Sequence, residues 1–453
     1  QSQVNIQAKL LAKKRVLAIQ QELVYKNESS DTLTSIYLND WANSFSNKNS
    51  PLATRFSEEF VRKFHFSKDY ERGGTIIQQL KLKNGKGLAW ERVEGHPDII
   101  QVKLNAPLLP GESLPIQLKY QIKIPHEKFT RYGYNSNEFK LRYWAILPAV
   151  YGKKGWEYYS HKNLNDEFLP LINTTLEIEY PKDLAVVSPL KLESIQLKDS
   201  TRQAKLLGEN ISDLKLYLVK DNNFSKVEAN GIEVITNIED DDIDPKIKAM
   251  NIDRIIQYLD KKLGAYPLKT LMVTEEDYLA NPVYGLNQLP SFIRPFPDGF
   301  QYDIKSFKTI TKTYLDNTLL LNPRKEAWLK DAILIYLMMD YVDTYYPKIK
   351  LLGNFSNVIG IRWFHAADLE FNDRYPYFAL NMSRLNLDQP LSASQDSLIK
   401  FNKNIANPYK AGVGFNYIND FLEDSEALQK SLKEFYNQYK LDENVDIADF
   451  ERI

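Results

Sequence analysis

Ile116, Leu118, Tyr120, Ile122 and Ile124 alternate with polar residues after the turn signal Leu109-Pro110-Gly111-Glu112. That two-residue period predicts a half-buried antiparallel strand, apolar on one side and polar on the other. Runs at 75–82 and 99–104, bounded by turn residues such as Asn84-Gly85, carry the same texture from Val4 to about Val219. A linker is expected around 221–226 and a further strand at 232–236. The acidic run 239–244 then precedes Pro245. Asp244 is placed to cap a helix whose first position is Pro245 and which stops at Gly264. The carboxylates suit the positive helix end, and the run lacks the spaced ligands and glycine turn of a calcium loop.

Residues 306–346 read as two helices joined near Asn322-Pro323. Phe307, Ile310, Tyr314 and Thr318 share one face of the first, while Lys308 and Lys312 lie i,i+4 on another. The second, from about Lys325, is apolar nearly all round (Ala327, Trp328, Ile333, Leu334, Ile335, Leu337, Met338), which predicts burial. From about Lys350 the chain reads as helices and loops. Ser425 is placed to cap a helix with Leu428, Leu432, Phe435, Tyr436 and Tyr439 on one face.

At 453 residues the chain is long enough for two or three domains with real cores. Acidic and basic residues nearly cancel, to a formal charge of −1, so no field draws it to nucleic acid or anionic lipid. Cysteine is absent, which excludes disulfides, thiol catalysis and thiolate metal sites. The longest uncharged apolar run, 332–339, falls far short of the ~20 residues of a membrane helix. The chain begins at Gln1 without methionine, which is read as a mature terminus left by signal-peptide cleavage.

Several motifs resemble the membrane-alanyl-aminopeptidase family of gluzincin zinc peptidases. Trp328-Leu329-Lys330-Asp331-Ala332, ending at Tyr336, stands in the position of its WLxEGxAxY run. At the family's spacing before Asp331, Lys308 to Lys312 read KTITK where the family has HExxH. Gly264-Ala265-Tyr266-Pro267 resembles G-x-Y-P, and Tyr284-Gly285-Leu286-Asn287-Gln288 takes the place of GAMEN. Pro408-Tyr409-Lys410-Ala411-Gly412 resembles PYEKG. Earlier, Val24-Tyr25-Lys26-Asn27 with Asp31-Thr32-Leu33, then Trp144 through Pro148, Gly155-Trp156 and Glu167-Phe168, resemble the family's first domain. The resemblance implies an α+β multidomain fold: a saddle-like antiparallel β domain at 1–220, a thermolysin-like α/β domain at 221–347 and a helical region at 348–453.

It also implies where chemistry would sit, and there the residues differ. Lys308 and Lys312 replace the zinc histidines, Thr309 the general base, Asp331 the third ligand and Asn287 the glutamate that grips a substrate's amino terminus. Ammonium groups carry no lone pair, and zinc prefers thiolate, imidazole and carboxylate. Of the five histidines, His65, His96, His126, His161 and His365, no two are i,i+4 apart. His365 with Asp368 and Glu370 reads as a solvated loop cluster. Tyr409, in place of the family's oxyanion-stabilising tyrosine, reads as packing beside the cleft.

The expectation is therefore a pseudo-enzyme without metal or other cofactor, acting as a binding or scaffold subunit. The alternatives are an active metallopeptidase with an atypical site and a peptide-binding module that does not cut. Gly285, Asn287 and Gln288 are expected along the former substrate groove. An ammonium of Lys308 or Lys312 is expected to reach Asp331, directly or through water, so that Asp331→Ala lowers the melting temperature. The opening strand resembles exported family members of Bacteroidota. That implies the periplasm or outer membrane and a protein partner, such as an outer-membrane complex for secretion or barrel assembly.

Overall fold

Val4, Ile6, Ala8 and Leu10 are buried on the strand Gln3–Leu11, and Leu17, Ile19, Leu23 and Tyr25 on its hairpin partner Val16–Lys26. The computed structural model describes residues 1–240, 242–286, 294–422 and 426–453. They fall into two compact units, Gln1–Phe224 and Ser225–Ile453.

The first unit is built on a seven-stranded sheet. Its order is Lys191–Leu197, Thr201–Ile211, Ile172–Pro181, Gln3–Leu11, Val16–Lys26, Ser113–Lys123 and Gly74–Leu82. Neighbours are antiparallel except Gln3–Leu11 and Ile172–Pro181, which run parallel. The alternation read in the sequence is realised on Ser113–Lys123, where Ile116, Leu118, Tyr120 and Ile122 are buried. Gln21 occupies a core position of the hairpin as a polar residue, 3% exposed. Its amide donates to the Ile146 carbonyl and accepts from the Tyr120 hydroxyl, each at 2.6 Å, so burial leaves neither end unpaired.

The second unit opens with the antiparallel pair Ser225–Ala229 and Ile232–Thr236, beside which Thr270–Val273 lies parallel. The helix Pro245–Lys262 makes the crossover between the parallel strands. Asp244 caps it by accepting from the Lys246 backbone N–H at 2.8 Å, and Gly264 beyond its end takes φ +124°. Both features follow the sequence pattern.

Two long helices follow. The first, Asp298–Thr318 (the lysine helix), starts earlier than the sequence pattern indicated, because Phe300 and Ile304 extend the stripe of Phe307, Ile310 and Tyr314 into the core. The second, Ala327–Tyr345 (the aspartate helix), is buried along most of its length, as its composition predicted. Phe307 and Tyr341 stack at 4.1 Å between the two. Asp303 is fully buried between Arg254 (2.8 Å), Tyr341 (2.9 Å) and Tyr346 (2.8 Å). The helices Arg374–Arg384, Asn407–Phe421 and Ala427–Tyr439 follow. Phe415, Leu432 and Phe435 join Ile335 and Leu337 in one hydrophobic core, so the segments before and after Pro347 pack together. Leu428, Leu432, Phe435 and Tyr436 form the buried face foreseen for Ala427–Tyr439, while Ser425 lies outside the described residues. Among the described residues no helix is long and apolar enough to cross a membrane. The whole is an α+β architecture, sheet-rich first and helical last.

Candidate functional site

The lysine helix carries Lys308, Thr309, Lys312 and Asp316, and the aspartate helix carries Lys330 and Asp331. Lys308 is 6% exposed, and its ammonium donates to the Pro282 carbonyl at 3.2 Å. Burial brings Lys308 down to about 7; Lys312 and Arg374 push the same way, and the Asp331 carboxylate opposes them. The Thr309 hydroxyl donates to the Lys305 carbonyl of its own helix at 2.8 Å, so the side chain is committed to local structure.

Lys312 and Lys330 converge on Asp316, at 2.9 and 3.0 Å. Burial alone would raise the Asp316 carboxyl, but these two ammonium groups outweigh it and hold it well below the ordinary carboxylate range. Asp331 behaves oppositely. Loss of surrounding water lifts it to about 6 despite the pull of Lys312, Lys330 and Lys308. The expected direct ion pair from Lys308 or Lys312 to Asp331 does not form among the described residues. Lys312 reaches a carboxylate one turn along its own helix, and Lys308 turns to a carbonyl. Among the described residues Asp331 is a carboxylate acted on by charges with which it forms no ion pair.

The turn at Tyr284-Gly285 meets the same cluster through Arg374. Arg374 donates through Nη2 to the Tyr284 carbonyl, next to Gly285, whose φ of +79° suits glycine. A Cβ at Gly285 would stand 3.0 Å from that Nη2, so another residue there would press on the guanidinium as well as strain the backbone. Asn287 and Gln288 lie outside the described residues. Tyr409 is 3% exposed and meets Tyr375 edge-on at 4.7 Å. Burial raises its hydroxyl, with Arg374 opposing. Gly412, one turn on, lets the helix Asn407–Phe421 approach the aspartate helix, since a Cβ there would fall 2.5 Å from Ile335 Cβ. His365 Nδ1 lies 3.9 Å from Asp368 Oδ2, both side chains being exposed.

The family resemblance implies a zinc ion between the two long helices, and this donor set does not fit one. Asp316 is already shared by two ammonium groups, Asp331 is a single carboxylate, and the nitrogen of Lys308 is turned to a carbonyl. Among the described residues no group of three or more His, Cys, Asp or Glu side chains is placed to hold a metal. Sequence reasoning missed Asp316, Lys330 and Arg374 as members of the cluster. The i,i+4 spacing of Lys312 and Asp316 was a usable signal for the first. Arg374 gave none, because its partner Tyr284 lies far back in the chain.

No protein-family model and no curated relative matches the sequence. Solved structures do match. The M1 zinc metallopeptidase from Deinococcus radiodurans aligns over 99% of this chain and 87% of its own, with a TM-score of 0.59 and 11% identity. A variant of that enzyme bound to a Tyr-Ser-Ala substrate aligns over 97% of this chain and 86% of its own, with a TM-score of 0.60 and 11% identity. Similarity at that identity is similarity of fold, and the fold of this chain is the multidomain fold of the M1 aminopeptidases.

Proposed function

We propose that this chain is a non-catalytic aminopeptidase-like protein, a binding or scaffold subunit rather than a peptidase. One observation carries the reading: at the juncture of the two helices where the fold would seat a metal, buried or half-buried lysines are packed around Asp316 and Asp331. An ammonium in that place repels a divalent cation, and Thr309, bonded to its own helix, offers no base. The test is metal content of the purified chain together with turnover of an aminoacyl reporter. We expect zinc well below stoichiometric and no chelator-sensitive cleavage. Stoichiometric zinc with cleavage that a chelator abolishes would overturn the reading.

The sequence resemblance to exported members supports a place in the periplasm or at the outer membrane. There we propose a role as accessory subunit of a protein complex for secretion or barrel assembly. Affinity capture from native membranes, followed by mass spectrometry, tests this; recovery of cytosolic proteins alone would count against it.

A further inference from the structure

Arg374 is 3% exposed, and its guanidinium lies 4.4 Å over the Phe371 ring. One of its nitrogens meets the Tyr284 carbonyl, while Nε and Nη1 are buried without a hydrogen-bond acceptor. A buried guanidinium normally has a carboxylate across from it, and orphaned donors of this kind mark the place of a missing partner. No carboxylate of the chain is within ion-pair distance of Arg374 among the described residues. Nearby, Lys308 is anchored to the Pro282 carbonyl, two residues before the carbonyl that holds Arg374, and is equally enclosed. The charges of Lys312, Arg374 and Asp331 act on Lys308, and those of Lys312, Lys330, Lys308 and Asp316 act on Asp331, so Arg374 stands beside a cluster of lysines. The buried Tyr409 lies close enough for its hydroxyl to feel the Arg374 charge.

We propose that Arg374, supported by Lys308, binds an oxyanion, whose oxygens accept from Arg374 Nε and Nη1. A guanidinium and an ammonium on one side suit a carboxylate or phosphate group and exclude cationic ligands. Two sources share that chemistry: the carboxylate of a peptide lying in the cleft, and a free inorganic anion. The inference goes beyond the non-catalytic reading and does not depend on it, since it concerns charge left uncompensated in the fold.

The test uses the full chain. Binding is measured by calorimetry with inorganic phosphate, and with one short peptide as the free acid and as the carboxy-terminal amide, at matched chloride concentration. Saturable binding of phosphate identifies a free-anion site. A preference of at least about tenfold for the acid over the amide identifies a peptide carboxylate. Either binding should fall at least about tenfold in Arg374→Gln. Because removal of a buried arginine can also disturb folding, unaltered crystals soaked in selenate supply a second measurement. We expect anomalous scattering within hydrogen-bond distance of Arg374 Nε or Nη1. Absence of that signal at saturating selenate, or binding of every probe no better than chloride, would overturn the proposal.

Discussion

Lys312 pairs with Asp316 at 2.9 Å, one turn along its own helix, and not with Asp331 on the helix beside it. Lys330 completes the pairing from that neighbouring helix at 3.0 Å, so Asp316, like Asp303 further up the same helix, ties the two helices together. Asp316→Asn keeps the shape but removes the charge both lysines face. It should lower unfolding free energy by about 1–3 kcal/mol, the range for charged hydrogen bonds in half-buried surroundings. The depressed Asp316 carboxyl contributes stability above its unfolded value, lost as pH falls through the folded one. The parent–variant gap in urea midpoints should therefore close in strong acid.

Lys308 has the opposite sign. Folded, it titrates near 7; unfolded, near 10.5, so across that window the unfolded chain holds more protons. This one group makes stability rise with pH there, by at most about 1.4 kcal/mol per pH unit. Lys308→Met should therefore be more stable than the parent near neutral pH, with the advantage shrinking as pH approaches that of free lysine. A constant gap across the window would show that the side chain is not buried as a cation.

For Asp331 the direct ion pair expected from the sequence is missing, and burial sets the sign of its pH dependence. Its folded carboxyl titrates at about 6, above the ordinary 3.8, so ionisation is disfavoured by folding. Stability linked to this group is present below the unfolded value and falls as pH rises through the folded one. Asp331→Asn should raise the melting temperature above that pH and leave it unchanged in acid. A drop in melting temperature at neutral pH would restore the ion-pair account.

Gly412 makes a sharper packing test. The Cβ of an alanine there meets Ile335 at 2.5 Å and must push the helix Asn407–Phe421 off the aspartate helix. Gly412→Ala should cost about 1–3 kcal/mol, although alanine is the better helix former. Chemical denaturation with far-ultraviolet dichroism would register it; a stabilised variant would refute the close approach.

Much of this was legible from local pattern. The alternation through Ile116 and Tyr120 marks a strand because one face is core, and Asp244 before Pro245 marks a helix start because cap and first turn are local events. The positions Lys308, Lys312 and Asp331 do fall on two adjacent helices. The pairing among them was not legible, since it depends on whether Lys312 bends along its helix or across it. The start of the lysine helix was hidden because Pro297 and Gly299 read as loop, whereas Pro297 takes the cap position. Arg374 and Tyr284 meet only through tertiary packing, which no window of sequence contains.

The parallel pairing in the seven-stranded sheet also sets an order of events. Gln3 lies beside Asn173 and Lys9 beside Glu179, so the strand Gln3–Leu11 cannot complete its neighbours until most of the unit has been synthesised. Closing so long a loop is entropically costly and slows folding relative to the hairpins around it. Until then the outer edge of Gln3–Leu11 presents open N–H and C=O groups along a strand whose other face carries Val4, Ile6 and Leu10. A nascent chain in that state is a template for pairing with other chains. Any truncation ending before Ile172 would leave the edge permanently open and should aggregate rather than fold.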